Sequence, residues 1–162
     1  DKEADMADDA IVSTTVTVLP DEIAKNFTGS MSVAPDDAND KWYYKLTSIP
    51  TTTNGVQLIA GSYIDYTAVG AASSPSAVAT ADKVKFLFIQ NQSTADGIYI
   101  TLDGGNVAHT TTDAIFIGPS QTFTIRCPNT TVADIKAISA DIGDAGDAAV
   151  TAIVCALLDD VA

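Results

Sequence analysis

From Lys83 onward the chain is a succession of short apolar runs cut by turn residues: VKFLFIQ, NQSTADG, IYITL, DGGNVAHTTTD, AIFI, GPS and QTFTIRC. Apolar runs of four to seven residues suit strands and are too short for ordinary helices, and the Gly, Asn, Asp, Ser and Pro between them are turn formers. That spacing is the pattern of antiparallel strands in a sandwich or barrel, with consecutive hairpins as the simplest topology. Two further strands are predicted over Val132–Ser139 and Ala148–Leu158, joined by the Gly- and Asp-rich turn Asp141–Asp147. In the last of these Thr151, Ile153, Cys155 and Leu157 share one face and Val150, Ala152, Val154 and Ala156 the other, so the strand can be covered on both sides.

The first half reads the same way with less regularity. Ile11–Leu19 is a predicted strand that sets Val12, Val16 and Val18 on one face with Thr14 between them and Thr15 and Thr17 opposite. Pro20–Phe27 opens with proline and two acids, which predicts one or two helical turns. After the acidic turn Asp36–Asp40 comes Lys41–Ile49, the densest aromatic cluster in the chain, with Trp42, Tyr44 and Leu46 on one face and Tyr43, Lys45 and Thr47 on the other. One face is expected to be buried and the other half-exposed, with Trp42 as a core aromatic. Asn54-Gly55 signals a hairpin turn before Val56–Ala60, and Tyr63–Val69 is a further extended run.

The 20 Thr and 11 Ser, the many Val and Ile, and the scarcity of Glu, Lys, Arg and Gln agree with a mostly β chain. The expectation is an all-β fold, an antiparallel β-sandwich of jelly-roll-like or immunoglobulin-like kind, with about 8 to 10 short strands and one short helix. Residues 1–10 read as a flexible acidic arm and 11–162 as a single sandwich domain. A division at the small-residue segment Gly70–Asp82 is the alternative boundary.

Charge excludes several function classes. The chain of 162 residues has 19 Asp, 2 Glu, 7 Lys and a single arginine, Arg126, for a net charge of −13. Phosphate neutralisation needs clustered Lys and Arg, so no nucleic acid is expected as partner. The same shortage disfavours an anionic membrane surface, and no stretch approaches the roughly 18 apolar residues of a membrane-spanning helix, so no membrane partner is expected.

Catalytic and metal motifs are missing or weak. There is no GxSxG, HExxH, P-loop, GxGxxG after a strand, or CxxC. His109 is the only histidine and falls in a predicted loop; Asp36-Asp37 and Asp159-Asp160 read as solvated turns. Asp103-Gly104-Gly105-Asn106 with Asp113, and Asp141, Asp144 and Asp147, invite a calcium reading, yet neither fits an EF-hand loop and turn chemistry accounts for both. No cofactor, metal ligand or enzymatic activity is assigned. Cys127 lies on a face with Phe123 and Ile125, and both it and Cys155 read as small core residues. The sequons at Asn26, Asn91 and Asn129 are expected by chance in a chain this rich in Ser and Thr. The interface candidates are Trp42, Tyr43 and Tyr44, with Tyr43 and either Tyr63 or Tyr66 as exposed aromatics that stack or dock.

The run Lys83–Ala140, with its "GIYITLDGG" strand and "IFIGPSQTFTIRCPNTTVADIKAIS", resembles small structural proteins of tailed bacteriophages, particularly those of marine and cyanobacterial hosts. The resemblance implies a virion component on the capsid surface, a decoration or cement protein. Its implied partner is the major capsid protein of the same virion, and it would be a homo-oligomer, often a trimer in such proteins. The alternatives are a head-fibre or tail component, or a carbohydrate-binding, adhesin-like sandwich in which Trp42, Tyr43 and Tyr44 stack on sugar.

Overall fold

The computed structural model describes residues 9–18, 25–37, 39–52, 54–62, 77–105, 114–140 and 148–161. Among them are ten strands, all paired antiparallel, and one 3-10 turn, Val132–Asp134, in an all-β, sandwich-like arrangement. Two compact units divide the chain, Asp1–Ala38 and Asn39–Ala162.

The first unit is a two-stranded ribbon of β1 (Ala10–Val18) and β2 (Lys25–Val33), in unbroken register from Ala10↔Val33 to Val18↔Lys25. The helix predicted over Pro20–Phe27 needs correction at its end. Lys25, Asn26 and Phe27 open β2, where they pair with the β-branched Val18, Thr17 and Val16; the rest of that segment, and residues 1–8 of the acidic arm, lie outside the described residues. Tyr63–Val69 lies outside them too.

The second unit holds two four-stranded sheets. Sheet I runs β3 (Asp40–Ile49), β10 (Val150–Asp159), β5 (Lys83–Asn91), β8 (Thr122–Thr131), and sheet II runs β4 (Val56–Gln57), β9 (Lys136–Ser139), β6 (Ile98–Thr101), β7 (Ile115–Ile117). Consecutive hairpins are not the rule here. In this unit only β6 and β7 are neighbours in both sequence and sheet, because the chain passes back and forth between the layers so that each apolar face meets the other sheet. The predicted strand Val132–Ser139 also changes: Val132–Asp134 turn as 3-10 helix, and only Lys136–Ser139 pair as β9.

The central strand of sheet I is the most apolar one. β10 pairs with β3 on one edge and β5 on the other, which suits a strand with no charge between Val150 and Leu158. Its small inward residues leave room for large neighbours: Ala156 lies between Tyr43 and Leu87 in register, and all three are fully buried. Facing them from sheet II are Ile98, Ile100 and Ile117. β8 is an edge strand, the position where Pro128 removes no ladder hydrogen bond that the sheet needs, and Asn129 with φ 55° accompanies the irregular register opposite Lys85.

Two buried polar side chains tie loops to this framework. Asn91 Nδ2 donates to the carbonyls of Asp96 at 2.8 Å and Gly118 at 3.0 Å, while its Oδ1 accepts from Ser93 N at 2.9 Å. This sequon asparagine is therefore a structural clasp with no room for a glycan. Asp82 carries the end of the segment read as a linker: its Oδ2 accepts from Ala79 N at 2.8 Å and its carbonyl from Val132 N at 2.9 Å. Residues 77–82 are held rather than free, since Val78 N also donates to Gly61 O at 2.7 Å.

Replacing Asn91 by Ala leaves a buried N–H and two carbonyls without this partner, and is expected to lower unfolding stability by about 2–4 kcal/mol in urea titrations.

Candidate functional site

Period-two alternation separates two faces of β3, and hydrophobicity alone assigns Trp42, Tyr44 and Leu46 to the interior. The structure reverses that assignment. Tyr43 is fully buried, whereas Tyr44 and Leu46 are 50% and 60% exposed and Trp42 is half-buried on the same outward face. The reversal has a local cause, because β3 is an edge strand whose inward polar tips find backbone partners. Tyr43 Oη donates to Ala60 O at 3.1 Å, and Lys45 Nζ reaches the same carbonyl at 3.2 Å by laying its stem along the edge. Tyr43 is therefore not an interface residue, and the three aromatics cannot form one platform.

What the outward face presents follows from the register. Trp42, Leu157, Phe86 and Arg126 form one row across sheet I; Tyr44, Cys155, Phe88 and Thr124 form the next; Leu46, Ile153, Gln90 and Thr122 form the third. Trp42 and Phe86 meet edge to face with centroids 6.2 Å apart. Leu157 and Phe86 are themselves buried on this side, so the open apolar surface is Trp42, Tyr44 and Leu46 along β3 with the half-buried Cys155, Phe88 and Ile153 beside them, and the exposed Arg126 lies at the far edge. An isolated exposed leucine on a protein surface is unremarkable, whereas Trp42, Tyr44 and Leu46 follow one another along β3 as a contiguous apolar strip.

Charges gather at one end of the sheet, where the lysines are engaged within the chain. Lys85 Nζ lies 2.7 Å from each oxygen of the buried Asp40 carboxylate, Lys41 Nζ is 2.6 Å from Asp160, and Lys83 Nζ donates to Thr131 Oγ1 at 2.7 Å. These lysines neutralise or hydrogen-bond groups of their own chain and form no open basic stripe. The pair Asp159-Asp160, read as a solvated turn, is instead the end of β10 and the Lys41 ion pair.

The cysteines separate. Cys127 faces the core as expected, but Cys155 is half-buried on the outward face. They sit on β8 and β10 with β5 between them, roughly 10 Å apart by strand spacing and on opposite faces, so both thiols are free. Burial pushes both thiols up from the ordinary 9.0, with a Thr130 hydrogen bond partly opposing this at Cys127. Burial also raises the Tyr43 phenol above 10.0, against the lowering effect of its Ala60 and Thr47 hydrogen bonds.

The metal-like segment at Asp103 is a turn. Asp103 Oδ1 accepts from Gly105 N at 2.9 Å and Gly104 takes φ 77°, an Asx turn that explains the Asp-Gly-Gly sequence without an ion. Asn106, Asp113, His109, Asp141, Asp144, Asp147, Tyr63 and Tyr66 lie outside the described residues. A second aromatic surface escaped the sequence reading: on the outer side of sheet II, Phe116, 54% exposed, leans on Tyr99 with centroids 5.0 Å apart. The signal was present in the paired triplets IYI and IFI, which put isoleucine inward and an aromatic outward on neighbouring strands.

Compared with known proteins, the chain matches no family model, no curated protein and no solved structure.

The three raised acidities share a sign. Each group is neutral when protonated, so the folded state is favoured fully below the unfolded value and loses that advantage as pH rises past it. The thermal midpoint is expected to fall on titration above about pH 9, and a thiol reagent at neutral pH should label the native protein far more slowly than the urea-unfolded chain.

Proposed function

We propose that this chain is a virion structural protein, a decoration or cement protein that binds the outer surface of a tailed-phage shell and reinforces it, with the major capsid protein as partner. The observation that carries the reading is the inverted β3. A strand that turns its more apolar face outward, with Trp42, Tyr44 and Leu46 on a rigid sheet, suits a protein made to be covered by another. The segment Lys83–Ala140 that resembles phage structural proteins includes β5–β9, which contribute to both sheets.

Reinforcement needs no chemistry. A module that bridges neighbouring subunits through many contacts opposes their separation, and repetition over a shell multiplies weak contacts into firm attachment. A net charge of −13 on each copy also lets particles repel one another and remain dispersed.

The test is cosedimentation of purified protein with shells from the source particle stripped of it. Tyr44→Asp and Leu46→Asp replace side chains that are about half exposed, so each variant should fold with an unchanged circular dichroism spectrum while shell binding drops at least tenfold. Unaltered binding by both variants overturns this surface as the contact. Density for the chain only in a tail or fibre of the native particle replaces the decoration reading by the tail alternative.

The face reversal also orders two aromatic substitutions. Tyr43→Ala is expected to lower unfolding stability by about 3–5 kcal/mol, and Trp42→Ala by only about 1–2 kcal/mol, in guanidinium titrations.

A further inference from the structure

The ribbon β1–β2 is built unlike the rest of the chain. Of the nine residues in each strand, Lys25 alone is charged, in a protein with a net charge of −13. Its faces differ: Val12, Thr14, Val16 and Val18 join Lys25, Phe27, Gly29 and Met31 on one, which is mainly apolar with Lys25 at its end, and Ile11, Ser13, Thr15 and Thr17 join Asn26, Thr28, Ser30 and Ser32 on the other, which is mainly hydroxyl and amide. Phe27 is 56% and Val16 48% exposed. A two-stranded hairpin alone is marginal in water, and among the described residues no third strand pairs with this one.

Gly29 is the telling residue. It sits in the middle of β2 on the apolar face, flanked by Phe27 and Met31 and opposite Thr14. Its φ is not positive, and a Cβ built there meets nothing within 4 Å, so neither backbone conformation nor crowding among the described residues demands glycine. Glycine weakens a strand interior and marks a bulge, a tight bend or a close approach of another backbone or a ligand, and the unbroken register of the ribbon leaves no bulge here. Here it leaves a notch one pleat, about 7 Å, from the Phe27 ring.

We propose that the apolar face of this ribbon docks against the same face of a second copy, with Phe27 of each copy seated in the Gly29 notch of the other. A bump and a hollow side by side on one surface are self-complementary under a two-fold axis. Charge favours the same partner, because two strongly acidic copies meet with least repulsion across a surface free of carboxylates, and neither strand of the ribbon carries one. A ribbon face of about 30 by 10 Å buries roughly 600 Å² in total, which places the contact in the weak, reversible class.

Sedimentation velocity of the full chain from about 10 µM to 1 mM tests this without any shell present, so it is read separately from shell attachment. A reversible monomer–dimer equilibrium is expected. Phe27→Ala and Gly29→Val should each weaken it at least tenfold, while Thr15→Ala on the opposite face leaves it unchanged. Circular dichroism and melting should show that Gly29→Val keeps its fold, since the added methyls enter open space. A chain that stays monomeric throughout, one whose smallest assembly is a trimer, or dimers indifferent to both substitutions would each overturn the proposal.

Discussion

The register that locks β3, β10, β5 and β8 into one sheet is the constraint on which the second unit depends. Because side chains alternate with a period of two, slipping β10 by a single residue would drive Val154 and Ala156 outward and bring Ile153 and Cys155 against the isoleucines of sheet II. Ala156 has room for Tyr43 and Leu87 only in the observed pairing, so packing and hydrogen bonding select the same alignment. The irregular pairing opposite Lys85 gives the sheet a local bend at the end where that lysine meets Asp40.

Function is best sought where folding and surface composition disagree. The interior of the second unit is an ordinary one of isoleucine, leucine, valine and alanine. The exterior is less ordinary, with Tyr44 and Leu46 outside on sheet I, Phe116 outside on sheet II, and a ribbon without carboxylates in the first unit. Each is a place where apolar side chains meet water, in a chain whose net charge of −13 favours solubility.

Strand positions were largely legible in the sequence because turn residues punctuate apolar runs; VKFLFIQ, IYIT and IFI became β5, β6 and β7 with little displacement. Which face of a strand looks inward was not. Alternation defines two faces, but for β3 the choice was made by tertiary partners, the backbone of Ala60 above all. The beginning of β2 was misread because proline followed by acids is a helix signal, whereas pairing with β1 recruited Lys25 to Phe27 into the ribbon. Topology was hidden for a related reason: hairpin spacing says which strands are short, and only packing between layers says which are neighbours. Of the candidate contact residues, Trp42 and Tyr44 were visible as aromatics in a strand, while the notch at Gly29 gained meaning only once its φ and its empty surroundings were known.

The placement of β10 has a consequence for the order of events on the ribosome. The strand that separates β3 from β5 is made from residues 150–159, so during vectorial synthesis those two strands emerge long before the one that joins them. Until then sheet I has a gap at its centre flanked by the unpaired edges of β3 and β5. Folding of sheet I is thus a closing act, completed when β10 slides into the gap, and a nascent chain stalled before residue 150 would present open sheet edges to its neighbours.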